Sequence, residues 1–246
     1  MVVKEVFKPR NYTALVRMLR IYPAFPAAAW RYFTGRGRYP YHCRIRTPAG
    51  TIAPTLYSQH DMWTVNEIFC REDYAAEPPV RTVVDIGSNI GISALYFLTR
   101  DAQCRCWLHE PVSSNVERLR ANLAGYEDRY ELREVAVAAE AGTAVFGVED
   151  SGRYGGIGVA LDQSIEVECV AVDQALAAAL ANADLIDVLK IDTEGTELEL
   201  LAASAPALLG SVRQVFLESA DRGHPVPEPF SVRFRNDTWA LRNPGV

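Results

Sequence analysis

The stretch RTVVDIGSNIGISALYFL, residues 81–98, constrains this chain more than any other. Thr82, Val83 and Val84 lead to Asp85. A turn with Gly87, Asn89 and Gly91 follows, and Ile92, Leu95, Tyr96 and Leu98 then recur at helical spacing. A strand, a tight glycine turn and a helix, in that order, open a nucleotide-type α/β domain built on a doubly wound, mostly parallel sheet. Gly87 and Gly91 carry no Cβ, so the backbone can turn sharply and approach a ligand closely. Asp85, Gly87, Ser88, Asn89 and Gly91 are therefore the candidate binding residues of the turn. A dinucleotide site would want G-x-G-x-x-G, but the offsets from Gly87 hold Asn89 and Ile92, so that fingerprint fails. An ordinary βα turn of any doubly wound sheet has the same outline. The rest of the chain has to decide.

A length of 246 residues suits one large α/β domain or one domain with an appendage, and an apolar fraction of 49% is ample for its core. Charge is distributed unevenly. Residues 1–46 hold ten Lys or Arg against Glu5 alone, a balance of +9 in a chain of net −6, which leaves −15 on the other 200 residues. Such asymmetry marks a separate segment with an anionic neighbour. Five scattered cysteines (Cys43, Cys70, Cys104, Cys106, Cys169) form no C-x-x-C pair and read as buried free thiols in a reducing compartment. The N-terminus interrupts any apolar run with charges and prolines, and no stretch has the length of a transmembrane helix, so the expected location is cytoplasmic.

Along the chain, residues 9–22 place Leu15, Met18, Leu19 and Tyr22 on one face of an amphipathic helix with Arg10, Arg17 and Arg20 elsewhere around it. AAAWRYF reads as a short second helix, residues 41–57 as a hairpin, and residues 59–74 as a helix with Asp61 as its cap. Glu77-Pro78-Pro79 is the expected boundary between an N-terminal basic extension, residues 1–78, that covers the active site and a main domain, residues 79–246. In the main domain, residues 104–111 form a second strand ending at Glu110, residues 130–138 a third, and AVFGVED an extended piece. A glycine-rich mobile loop over 151–158 is expected next, followed by IEVECVAV as a sheet-edge insertion. IDVLKID ends at Asp192 before the turn Thr193-Glu194-Gly195, and VRQVFLES delivers Glu218 to the same rim. Ligands gather at the carboxyl edge of open α/β sheets. FSVRFRND and TWALRN read as a closing hairpin.

Residues 81–219 together resemble the FkbM-type S-adenosylmethionine (SAM)-dependent methyltransferases. The match rests on VVDIGSNIG, on HEP followed by SSNVERLRANL, on EVAVAAEAG, on VAVDQAL and above all on DVLKIDTEGTELELL. The resemblance implies a class I methyltransferase (Rossmann-like) fold with an N-terminal helical and hairpin extension, SAM as donor, and a hydroxyl acceptor on a sugar or natural product. It implies Asp85, Gly87, Ser88, Asn89 and Gly91 around the methionine moiety, Glu110 at the ribose hydroxyls, Ala136 lining the adenine, and Asp192 nearest the transferred methyl. Two departures stand out. His109 precedes Glu110 where the family carries an aromatic residue, and the segment after Ser219 is short and proline-rich.

Methyl transfer from a sulfonium is an in-line displacement, so the protein must align the acceptor and exclude water, and an alcohol gains from a general base. Asp192, Glu194 and His224 are the candidate catalytic residues, with His224 preferred over His60 and His109 by position. Asp192 with Glu194 offers two carboxylates to a divalent ion, but no third ligand stands at fixed spacing, so a metal is not favoured. The acceptor is expected to be a small or carrier-bound molecule, and the basic segment suggests an anionic handle on it. The acidic main domain and the missing N/D-P-P-Y/F signature argue against nucleic acid. Self-association is compatible with this composition. A SAM-binding scaffold without transfer activity is the alternative reading.

Overall fold

Strands buried on both faces read as unbroken apolar runs, and TVVDI and IDVLKI are fully buried along their length. In the computed structural model they lie side by side at the centre of a seven-stranded sheet. The structure describes residues 9–149, 155–159, 163–219, 221–235 and 238–246. The chain divides into two compact units, Met1–Ala75 and Ala76–Val246. Glu77 belongs to the second: its N–H donates to Gln214 Oε1 at 2.7 Å and its carboxylate pairs with Arg242 at 2.9 Å.

The strands of the large sheet, numbered along the chain, are β1 Thr82–Ile86, β2 Arg105–His109, β3 Tyr130–Arg133, β4 Ile186–Ile191, β5 Val212–Glu218, β6 Ser231–Arg235 and β7 Thr238–Arg242. Their spatial order is β3-β2-β1-β4-β5-β7-β6. The first five are parallel, while β7 pairs antiparallel with both β5 and β6, as the closing hairpin expected from the sequence. The order reverses between β1 and β4, and in open α/β sheets that switch point is where ligands bind. Helices α1 Ile92–Leu98, α2 Ser113–Asn122, α3 Val172–Leu180 and α4 Glu197–Ala203 connect the strands. α1 is buried at every position. Under α3, Ala175, Leu176 and Ala179 pack on Val84, Ile86, Trp107, Leu189 and Val215, the main core.

Two charged residues sit inside β4, one towards each end. Asp187 accepts from the N–H groups of Arg81 and Thr82 at 2.6 and 3.0 Å and pairs with Arg213 at 3.0 Å. Lys190 sits at the carboxyl end and belongs to the candidate site. Buried charges persist only when partnered, and both are.

The third strand differs from its expected extent. Tyr130–Arg133 pairs with β2, whereas Ala136–Ala138 leaves the large sheet and pairs parallel with Gln163–Ala171. Gln163–Ala171 is therefore no edge strand of the large sheet; it anchors a second sheet of four strands with Gly142–Val148 and Gly155–Ile157. That sheet has its own core of Ala136, Phe146, Val167 and Cys169 with Ile157 and Ile165 against it. Of the expected loop at 151–158, residues 151–154 lie outside the described residues, and Gly155–Ile157 is a strand rather than a loop.

In the N-terminal unit, helices span Pro9–Ile21, Phe25–Thr34 and Gln59–Val65, the last continued by a π-helical turn, Asn66–Arg71. Met18 and Tyr22 are buried as expected, but Leu19 is 51% exposed. Ser58, not Asp61, is the N-cap: its hydroxyl accepts from the Asp61 N–H at 3.2 Å while Asp61 accepts from the Ser58 N–H at 2.9 Å, a reciprocal capping box. The expected hairpin forms as two short ladders, Tyr41–His42 with Thr55–Leu56 and Ile45–Thr47 with Gly50–Ile52. Arg17 pairs with Glu72 at 2.8 Å and Arg46 donates to the Arg20 carbonyl at 3.0 Å, so part of the basic set is used internally. All five cysteines are free and buried. Among the described residues no helix is long and apolar enough to cross a membrane.

Candidate active site

Three chain segments meet at the switch point: the turn after β1, the end of β2 and the turn after β4. Gly87 and Ser88 donate their N–H groups to the His109 carbonyl, both at 3.0 Å, and the His109 N–H donates to Ser88 Oγ at 3.2 Å. The Asp192 N–H donates to the Ile86 carbonyl at 3.0 Å. Gly87 has φ +77, and a Cβ there would lie 1.9 Å from the Asp192 carbonyl oxygen, so only glycine lets the two turns touch. Asn89 at φ 47 bends the backbone on towards α1.

Behind the turn lies a buried ionic cluster. Lys190 Nζ stands 2.9 Å from Asp85 Oδ1, 2.7 Å from the Gly87 carbonyl oxygen and 3.4 Å from Asp192 Oδ2. Ser93 Oγ donates to Asp85 Oδ2 at 2.5 Å. Burial by itself pulls the Lys190 ammonium down, but Asp85 and Asp192 outweigh it and push it above the ordinary lysine range. Asp85 has no exposed surface, so any part it plays in binding acts through the shape of the turn. Ser88, 2% exposed, and Gly91, packed on Leu119, likewise brace the turn from behind.

Glu110 is equally organised. Its Oε2 accepts from the Asn89 N–H at 2.8 Å, and its Oε1 from the Val112 N–H at 3.1 Å and Asn115 Nδ2 at 3.2 Å. Burial raises its carboxyl, and those hydrogen bonds oppose the rise. The carboxylate links the glycine turn to the start of α2.

Two cavities open on this framework. A narrow cleft of about 40 Å³ is lined by Gly87, His109, Pro111, Ala136, Phe146, Ile157, Asp192 and Thr193 among others. A wider bay of about 370 Å³ is lined by Asp192, Glu194, Gly195, Glu197, Leu198, Glu218 and Ser219. Asp192 lines both. Glu194 thus joins Asp192 at the bay, whereas His224, in the loop between β5 and β6, lines neither cavity. Glu197 accepts from the Thr193 and Gly195 N–H groups at 2.9 and 3.0 Å and so shapes the turn that carries Asp192. Among the described residues no three His, Cys, Asp or Glu stand together as a metal site.

The cleft suits a nucleoside in chemistry: apolar walls from Ala136, Pro111, Phe146 and Ile157, beside the buried ring of His109. In size it holds about one water, whereas ligand pockets run to about 300–1,000 Å³. The strand Gly155–Ile157, which contributes Ile157 to this wall, lies close to the Asp192 turn, since a Cβ on Gly156 would stand 3.3 Å from the Glu194 carbonyl oxygen.

A seven-stranded sheet in this order, five strands parallel and closed by an antiparallel hairpin, with a glycine turn and two acidic strand ends at its switch point, defines a class I methyltransferase fold. The profile of the methyltransferase FkbM domain matches residues 85–223, more than half of the chain, and the chain belongs to that family. The family's class of chemistry is methyl transfer. A curated relative, the AMB antimetabolite synthetase AmbE of Pseudomonas aeruginosa, is 27% identical over 223 residues, covering 72% of this chain and 10% of its own length. The chain thus spans about a tenth of that relative. Among solved structures, the FkbM methyltransferase of Methylobacillus flagellatus is 13% identical with a TM-score of 0.46, over 75% of this chain and 54% of its own. The O-methyltransferase TomG of Streptomyces achromogenes, in complex with SAM, is 12% identical with a TM-score of 0.39, over 65% and 71%. The family assignment rests on the profile match.

Sequence reasoning missed the role of Lys190. A lysine inside the apolar run IDVLKI was the available signal, since a charge in a doubly buried strand must have a buried partner.

Proposed function

We propose that this protein is a SAM-dependent methyltransferase that transfers methyl to a hydroxyl of a sugar or natural-product intermediate. The observation that carries this reading is the position of Asp192, among the described residues the one acidic side chain lining both the apolar cleft and the wider acidic bay. Donor in the cleft and acceptor in the bay would meet at its carboxylate. When bound, SAM supplies an activated methyl group. The chain's part is alignment and exclusion of water. Lys190 holds Asp192 and the Gly87 turn together from behind. Asp192 accepts the hydrogen bond of the acceptor hydroxyl and turns its oxygen towards the methyl. Glu110 takes the ribose hydroxyls, and Ala136 with Pro111 packs on the base. The relative among antimetabolite synthetases supports a natural-product acceptor.

The bay carries Asp192, Glu194, Glu197 and Glu218, so an anionic handle on the acceptor belongs away from the reacting hydroxyl.

The test is calorimetric binding of SAM, then turnover with a panel of hydroxylated metabolites, free and carrier-bound, read as S-adenosylhomocysteine release. Asp192→Asn should bind SAM within about threefold of the wild type yet lose roughly a hundredfold in turnover. Mass spectrometry showing the methyl on nitrogen or carbon would sink the O-transfer assignment. SAM binding without transfer to any hydroxyl would favour the silent scaffold instead.

A further inference from the structure

The helix Phe25–Thr34 of the N-terminal unit turns its apolar face outward. Ala28 is its buried residue, while Pro26, Ala27, Trp30 and Phe33 are exposed at the i, i+1, i+4 and i+7 positions of one helical stripe. Trp30 is 50% and Phe33 60% exposed. A surface helix normally shows water its polar side. Here the polar residue that ends the stripe, Thr34, donates its hydroxyl to the Trp30 carbonyl at 2.5 Å. The helix before it, Pro9–Ile21, exposes Val16 and Leu19 one turn apart. With Trp63, these make five of the nine large apolar side chains exposed among the described residues, in a unit of 75 residues. Single exposed apolar residues need no explanation, but a whole helix stripe does.

The charges around this stripe are also unmatched. Arg36 and Arg38 follow the helix directly, and with Arg20 and Arg44 they are exposed. Among the described residues no carboxylate pairs with any of the four, because the acids of the unit are engaged elsewhere. Glu72 pairs with Arg17 at 2.8 Å, Glu67 and Asp73 with Arg71, and Asp61 completes the capping box of the helix Gln59–Val65. The stripe and the arginines together call for a partner that is both apolar and anionic. A bilayer containing anionic lipid is both: its interface takes Trp and Phe, and its phosphates take arginine. A protein partner would meet about one hydrogen bond per 100–200 Å² of interface. The stripe offers only the Trp30 indole N–H, a group that settles at headgroup level in membranes.

We propose that the N-terminal unit docks on a membrane surface containing anionic lipid, with Trp30 and Phe33 entering the interface and Arg36 and Arg38 pairing with lipid phosphates. Attachment is to the surface, since no described helix is long and apolar enough to cross. The inference is independent of the SAM reading.

The experiment mixes the full chain with vesicles of phosphatidylcholine alone, or of phosphatidylcholine with an equal amount of phosphatidylserine, at low and high salt. Binding is read by co-sedimentation and by tryptophan emission. The wild type should bind the phosphatidylserine vesicles, release them as salt rises and shift its emission to the blue. Trp107 and Trp239 are already buried, so Trp30→Phe should remove most of that shift while the chain still sediments with the vesicles. Trp30→Ser with Phe33→Ser should weaken binding at least about tenfold. Arg36→Gln with Arg38→Gln should weaken it about fivefold per arginine on phosphatidylserine vesicles only. All four positions are on the surface, so the variants should melt with the wild type. Should the double serine variant fail to fold, Phe33→Ser alone carries the comparison. No binding to phosphatidylserine vesicles at low salt, equal binding to both vesicle types, or binding unchanged in both double variants overturns the proposal. So does a chain that ignores vesicles but dimerises, or binds a purified acidic acyl carrier protein, through Trp30 and Phe33; the stripe would then belong to a second copy or to a protein partner.

Discussion

Lys190 Nζ lies 2.9 Å from Asp85 Oδ1 with both side chains buried, and the same ammonium donates to the Gly87 carbonyl oxygen at 2.7 Å. One cation on β4 thereby fixes the end of β1 and the turn that follows it. Both charges are out of water, so each depends on the other. Lys190→Met is expected to destabilise the fold by about 3–5 kcal/mol, because it strands a buried carboxylate. Adding Asp85→Asn should recover part of that loss. Urea unfolding of the three variants measures it; a double variant no more stable than Lys190→Met would show that the two residues are not energetically linked.

Gly87 and Gly125 both have positive φ, at +77 and +90, but only Gly87 has a neighbour within reach of a Cβ. Gly125→Ala meets open space and should cost only the left-handed backbone penalty, about 1–2 kcal/mol. Gly87→Ala adds a collision with the Asp192 carbonyl and should cost more than about 3 kcal/mol and abolish SAM binding. Thermal melts with and without SAM separate the two.

His109 couples the fold to pH. Its folded value of about 4 lies below the unfolded 6.5, so the neutral ring is the one that fits. The stability it contributes is fully present above about pH 6.5 and is lost as pH falls towards 4, by roughly 3 kcal/mol at full titration. The difference in unfolding free energy between the wild type and His109→Phe should therefore swing towards the variant across that window and stay flat above it. A constant difference from pH 7.5 to 4 would mean the ring is not held neutral.

The thiols should be inert in the native protein. All five are buried, and burial pushes Cys43 and Cys70 up to about 12. An aromatic disulfide reagent at pH 8 should label none quickly and all five after unfolding in urea. Rapid labelling of one thiol in the folded state would mark a local opening.

Local pattern in the sequence was enough for β1, α1, the turn between them, β4 with its acidic end, and the closing hairpin. Each combines a periodic apolar run with glycine or an acidic strand end, signals that act over a few residues. What the apolar run of 130–138 could not carry was its pairing. Its first part joins the large sheet and Ala136–Ala138 joins the second sheet, because strand partners are chosen by residues more than twenty positions away. The same limit hid the site's electrostatics. Asp85 was legible as part of the turn, but that Lys190 consumes its carboxylate, and that Ser88 braces rather than faces the cleft, follows only from three strands meeting. The sequence by itself determined that this is a doubly wound methyltransferase domain with acidic residues at its carboxyl edge. Only the tertiary structure decided which of those residues reach the cavities and which stand behind them, because burial and ion pairing arise between segments that the chain brings together from far apart.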